Sequence, residues 1–162
     1  MLPTLDQIKQ LPFCYRTTIG PEHLDLLGHM NVRHYVGIFD EGFVVFMGQV
    51  GFDEAYHLER KLGLMALRGV ISYLAEVREG ESVAIYARIL KRKNKRFQSM
   101  YYMVNETTGK LAATSEAIGI HVDLTLRKSV PFPPEIETRF DEVIAAHQAL
   151  DWEAEVSGGI DF

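Results

Sequence analysis

Residues 31–50 read NVRHYVGIFDEGFVVFMGQV, and this stretch decides the fold. Tyr35, Ile38, Phe39, Gly42, Val45, Phe46 and Gln49 recur at helical spacing. Val36, Phe43, Val44 and Met47 make the other faces apolar as well. A helix apolar nearly all round belongs inside a protein, covered by other elements. Asn31 is a good N-cap for it. Gly37, Gly42 and Gly48 each cost about 1 kcal/mol against alanine within a helix. They make sense where the helix must come close to a sheet or a ligand. Without such a contact they would mark a loosely built helix.

Upstream, FCYRTTI (13–19) reads as a strand and GPEHLDLLGHMN (20–31) as a polar connector. Downstream, residues 53–61 read as a short helix or loop. Residues 64–77, 83–92, 96–104 and 111–126 then follow as strands, separated by the turns REGES, KNK and NETTGK. Alternation is plain in Val83, Ile85, Ala87 and Ile89, and again in Phe97, Ser99, Tyr101 and Met103. Short turns between long alternating strands predict an antiparallel meander. The simplest architecture is α+β: a five-stranded antiparallel sheet curved around one long central helix. Such a sheet keeps open edges, which predicts a homodimer, with a dimer-of-dimers tetramer as an extension. Pro133 and Pro134 can open a C-terminal helix from about residue 134, with Ile136, Phe140, Val143, Ile144 and Leu150 as its packing stripe. Residues 1–150 read as one domain and 151–162 as a flexible tail.

At 162 residues the chain suits one domain that needs no staples. Its net charge of -5 opposes nucleic-acid binding, which needs a basic face. Cys14 is the single cysteine, so no intrachain disulfide can form. The start MLPTLDQIKQ is unlike a signal peptide, and no apolar run reaches the length of a membrane span. A cytoplasmic protein without a membrane partner is the expectation.

The densest chemistry lies in HLDLLGHMNVRHY, residues 23–35. A helix start exposes unpaired N–H groups and a partial positive charge, a natural place for an oxyanion. A carboxylate just upstream, Asp25, could attack a carbonyl beside it or activate water. The plain alternative is a turn or cap residue. His23, His29 and His34 lack the i, i+4 pairing of a helical metal site, and no cysteine cluster supports zinc, so no metal is expected.

The string DLLGHMNVRHYVGIFDEG (25–42) resembles the Asp-x-x-Gly-His-x-Asn-x-x-x-Tyr signature of hotdog-fold thioesterases, in their 4-hydroxybenzoyl-CoA thioesterase-like branch. The element order, the basic turn KRKNKRF and the closing VPFPPE resemble that branch too, so the likeness covers about residues 13–136. It implies a hotdog fold and an acyl-CoA thioesterase with no cofactor, coenzyme A being part of the substrate. It implies Asp25 as nucleophile or general base, and Gly28 as the glycine that turns the chain close to the thioester. Val32 falls where the family polarises the thioester carbonyl with a backbone N–H. Tyr35 falls on an aromatic of the first helical turn, structural or part of the acyl pocket. His29 is a candidate ligand-orienting or acid–base group, and Asn31 lines the same segment as a cap. Another hotdog branch draws its carboxylate from the central helix, which makes Glu41, beside Asp40, a second candidate. Lys93 and Lys95, with Arg96, match basic residues that contact coenzyme A phosphates, often across a subunit interface; a solvated turn is the plain reading of the run that includes Arg92.

Plant acyl-ACP thioesterases share the fold but carry a functional Asn where this chain has Leu27. An acyl-ACP enzyme and a non-catalytic acyl-CoA-binding module are the alternatives. Cys14 reads as a small buried hydrophobe, Glu116 is ambiguous inside a strand, and His57, His121 and His147 read as surface or packing residues. Phe39, Phe43, Phe46 and Met47 form an apolar pocket or plain core. Aromatic, short-chain and medium-chain acyl groups all fit, as does a polar acyl such as a betaine.

Overall fold

The computed structural model describes residues 2–159 and 162. A short helix α1 (Leu5–Ile8) precedes strand β1 (Phe13–Thr18). The central helix α2 spans Val32–Val50, and α3 spans Glu54–Arg60. Four long strands follow, β2 (Leu62–Tyr73), β3 (Ser82–Lys93), β4 (Arg96–Asn105) and β5 (Lys110–Asp123). A two-residue β6 (Lys128–Ser129) and the helix α4 (Pro134–Gln148) close the chain. The expected hotdog architecture is present: the long strands form one antiparallel sheet on whose concave face α2 lies.

The strand order is β1-β3-β4-β5-β2, with β6 paired to β5. This corrects the simple meander expected from the turns. Among the described residues β3, β4 and β5 are joined as hairpins, and the short β6 folds back on β5. β2 pairs with β5, from Leu62↔Asp123 to Tyr73↔Ala113. Residues 74–81 therefore cross from one edge of the sheet to the far side of β4. The REGES segment reads like a hairpin turn, but the last strand outcompetes β3 for β2.

The two faces of the sheet carry separate cores. Tyr35, Ile38, Phe39, Phe46 and Met47 of α2 pack on Ile85, Ile89, Phe97, Tyr101 and Met103, with Ile136 and Phe140 of α4 alongside. The glycines of α2 differ in purpose. A Cβ on Gly42 would lie 2.6 Å from Ile85 Cγ2, so this glycine lets the helix rest against β3. Gly37 and Gly48 face open space within 4 Å.

On the convex face Ile8, Leu11, Ala84, Tyr86, Met100, Tyr102 and Val104 enclose Trp152. The stretch from Asp151, expected to be loose, has no helix or strand, yet Trp152 is buried there. Arg88, itself buried, donates to the carbonyls of His147 and Trp152 at 2.8 and 3.0 Å and lies 4.4 Å from the Trp152 ring centre. A buried guanidinium needs such partners, and the tail supplies them. Buried Glu116 takes hydrogen bonds from Gln98 Nε2 and the Ser157 N–H, each at 2.6 Å.

Two buried histidines hold the C-terminal half in neutral form. His147 Nδ1 accepts the Ile89 N–H at 2.9 Å, which fixes its proton on Nε2. His121 Nδ1 faces the carbonyls of Val130 and Pro131 at 3.1 and 3.0 Å and so carries the proton, while Tyr56 Oη donates to Nε2 at 2.8 Å. Burial, the dominant cause, lowers both pKa values below 6.5.

Gly42→Ala should destabilise the fold by about 1–3 kcal/mol through overpacking on Ile85. Gly48→Ala should stabilise it by up to about 1 kcal/mol in urea titrations. The unfolded histidines bind protons more readily than the folded ones. Their contribution is therefore complete above pH 6.5 and is lost as pH falls through and below that value. The melting temperature should drop on acidification from pH 7 to 5. His147→Gln should flatten that drop more than a change at Tyr56, because a proton on His147 Nδ1 would face another donor.

Candidate active site

The loop before α2 is a tight structure built from its own backbone. The Asp25 N–H donates to the His29 carbonyl at 3.0 Å, and the Gly28 N–H to the Asp25 carbonyl at 3.1 Å. Gly28 sits at φ 79°, a left-handed turn that suits glycine. Leu24 and Met30 bridge as antiparallel partners. Leu26 is fully and Leu27 largely exposed at the tip. The base is pinned by the Met30 N–H on the Val77 carbonyl at 2.7 Å and the Asn31 N–H on the His23 carbonyl at 2.9 Å.

The Asp25 carboxylate is oriented rather than free. Oδ1 accepts the Leu27 N–H at 2.8 Å, and Oδ2 lies 3.6 Å from His29 Nδ1. Its side chain retains 22% exposure, enough to meet a ligand. Asn31 caps α2 by accepting the Arg33 N–H at 3.1 Å. That leaves the Val32 N–H, at the first helical position, without an acceptor among the described residues. Asp25, His29, Asn31, Val32 and Tyr35 all line one open cleft of about 390 Å³. Its opposite wall is Tyr73, Leu74, Ala75 and Glu76, which sequence reasoning missed because β2 pairs far from its chain neighbours. Tyr35 is buried edge-on against Tyr73, ring centres 5.0 Å apart, and burial pushes its phenol pKa up.

Other candidates stand elsewhere. Glu41 is exposed on α2 and lines neither this cleft nor the cavity beyond it, whereas Asp40 lines the latter. The basic turn is at the far end of β3. Val77, in the crossing that leads into β3, accepts the Met30 N–H of the Asp25 loop, while Lys93 ends that strand of 12 residues, about 36 Å from its start by strand rise. Arg92 is committed to Asp141 and Glu137 of α4, at 2.6–2.9 Å. Lys95 Nζ donates to Ser129 Oγ at 2.8 Å, Lys93 Nζ reaches the Phe162 carbonyl at 3.0 Å, and Arg96 lies 5.9 Å from the Phe162 ring centre. His23 and His34 pack edge to face at 4.9 Å, and among the described residues no His, Cys, Asp and Glu cluster is arranged to hold a metal. Burial pushes the Cys14 thiol up to about 12, which leaves it protonated and unreactive at neutral pH.

A sheet curled around one helix, with a carboxylate loop running into an uncapped amide at that helix's start, is the architecture of the hotdog-fold thioester hydrolases. The chain belongs to the thioesterase-like superfamily, whose model matches residues 19–140. It is 28% identical over 143 residues to a betainyl-CoA thioesterase of Pseudomonas aeruginosa, covering 88% of this chain and 90% of that one. A Pseudomonas putida KT2440 protein of known crystal structure superposes with a TM-score of 0.76 at 25% identity, covering 94% of this chain and 96% of the other. A Staphylococcus aureus protein solved in complex with CoA superposes with a TM-score of 0.82 at 21% identity, over the same shares of the two chains.

Proposed function

We propose that the chain hydrolyses acyl-CoA thioesters to free acid and coenzyme A at the Asp25 cleft. The observation that carries this is the sharing of one cleft by an oriented carboxylate and an open helix-start amide. The thioester oxygen points at the Val32 N–H, which stabilises the negative charge that develops there. Asp25 either attacks the carbonyl carbon, expelling the coenzyme A thiolate and leaving a mixed anhydride that water cleaves, or takes a proton from the attacking water. Neither route needs a cofactor. His29 orients the carboxylate from Nδ1, and Gly28 gives the loop its turn.

The subunit arrangement is part of this reading. β2 is an edge strand carrying exposed Met65 and Leu67, and α2 exposes Val36 and Val44 beside it. An apolar edge of this kind supports pairing with a second copy. Pairing offers a route by which Lys93, Lys95 and Arg96 reach a substrate held at Asp25, from the partner subunit. The basic groups would then bind coenzyme A phosphates as mobile charges.

Asp25→Asn should lower kcat by about 10²–10⁴ with melting temperature unchanged, as for loss of a positioned acid–base group. Unimpaired thioester cleavage by that variant, read by free-thiol release, rules the assignment out. Val32→Pro is the sharper probe. Proline is welcome at the first helical position, and Asn31 (φ −67°, ψ 142°) already has the extended backbone that a residue before proline prefers. The helix should persist while kcat drops about 10²–10³, and Val32→Ala should be near normal. Mixing Asp25→Asn protein with a Lys93→Ala/Lys95→Ala/Arg96→Ala variant should restore about a quarter of wild-type activity through heterodimers holding one intact site. A turn that serves its own protomer would give no recovery.

A further inference from the structure

Beyond the cleft a second cavity of about 340 Å³ runs between α2 and the sheet, lined by Phe39, Phe43 and Asp40 of the helix and Phe97, Ser99 and Tyr101 of β4. The two spaces follow one another along the same elements: Tyr35 and Tyr73 border the first, Val36 and Ile71 the second. The second is walled mainly by apolar groups, as an acyl chain requires. Its floor is not. Ser99 is fully buried and Tyr101 is 2% exposed; their hydroxyls lie close to one another, and neither has a hydrogen-bond partner besides the other among the described residues. Both residues line this one cavity, whereas Tyr102, whose buried hydroxyl likewise lacks a partner, is on the convex face.

An unpartnered buried hydroxyl costs about 1–3 kcal/mol. A bond between the two uses one O–H donor and leaves the other open, so a hydroxyl pair on adjacent same-face positions of one strand, where a valine and a phenylalanine would fit the core, favours an occupant that can bond it. A hydrocarbon end would leave that donor bare; an end bearing oxygen or nitrogen would not. Asp40 and Arg68, at the same cavity, form no ion pair or hydrogen bond among the described residues, and keep its mouth polar as well.

We propose that Ser99 and Tyr101 are specificity-determining residues, selecting acyl groups whose far end carries a hydrogen-bonding group over hydrocarbon acyl groups. This rests on the thioesterase reading above and names its substrate class. Along α2, Asp40 and Phe43 stand about 12–16 Å beyond Val32, the reach of roughly ten bonds of extended chain.

The test uses purified wild-type enzyme and matched pairs of acyl-CoA thioesters, hydroxyl-terminated against methyl-terminated, at several chain lengths, with betainyl-CoA as a further polar member. Wild type should favour the hydroxyl-terminated partner in kcat/KM, most strongly near ten bonds. Tyr101→Phe and Ser99→Ala should each reduce that preference about tenfold, largely by raising turnover of the methyl-terminated thioester, with melting temperature equal to or above wild type. A preference unchanged by both substitutions, or a lowered melting temperature with unchanged preference, overturns the proposal while leaving hydrolysis intact. So does a preference for betainyl-CoA that both variants retain, which would assign the cavity to charge. Absence of hydrolysis and of binding across the whole panel overturns the thioesterase reading, and this proposal with it.

Discussion

The contact of Gly42 with Ile85 sets where every other group can stand. With no side chain at this point, α2 settles onto the concave face of β3 and its aromatic face enters the core. A helix held so closely cannot shift along its axis without breaking the packing of Phe39, Phe46 and Met47. Its first turn is therefore fixed relative to the sheet, and the Asp25 loop is tied through Met30 to Val77 of the crossing segment. Precise placement of a carboxylate beside an amide arises here from core packing rather than from the loop, whose tip leucines are bare.

Much of this was legible in the chain, for local reasons. Asn31 followed by an all-round apolar run could only be a capped, buried helix, and alternation in β3 and β4 left little freedom in what they are. What was not legible depends on partners distant in sequence. The crossing of residues 74–81 is set by whether β5 takes β2 or leaves it to β3, and Tyr73 to Glu76 enter the cleft only as a consequence. Trp152 looked like part of a loose end because nothing near it is apolar enough to hold it. Its partners are Tyr102, Met100 and Arg88, all far earlier in the chain. The signal for Ser99 was present, a small polar residue in the register of Phe97, Tyr101 and Met103, but a polar position on a core face acquires meaning only when the space in front of it is seen.

The two faces of the sheet divide the polar burden. On the convex face each buried charge is matched: Arg88 by two carbonyls and Glu116 by an amide and a backbone N–H. Such satisfied networks fix the tail and the end of α4 without needing anything from outside. The concave face is built otherwise. Its open groups are the Val32 N–H, the outward part of the Asp25 carboxylate and the hydroxyls of Ser99 and Tyr101, strung along one side of α2. The convex face leaves only the Tyr102 hydroxyl open among its described buried side chains, so the polar groups that wait for an occupant are concentrated on the concave side.

The same reasoning extends to the edge of the molecule. The basic turn is about 36 Å by strand rise from the start of β3, into which the crossing that anchors the Asp25 loop leads. A two-fold axis at the β2 edge would pair that strand with its own copy in antiparallel fashion. Antiparallel pairing reverses the direction of one sheet relative to the other, and so carries the turn of each subunit toward the cleft end of its neighbour. The exposed apolar residues of β2 and α2 lie along the edge where this operation would bury them. Distance, edge chemistry and symmetry thus bear on one question: a cleft that used both the Asp25 carboxylate and the basic turn would be shared between two chains.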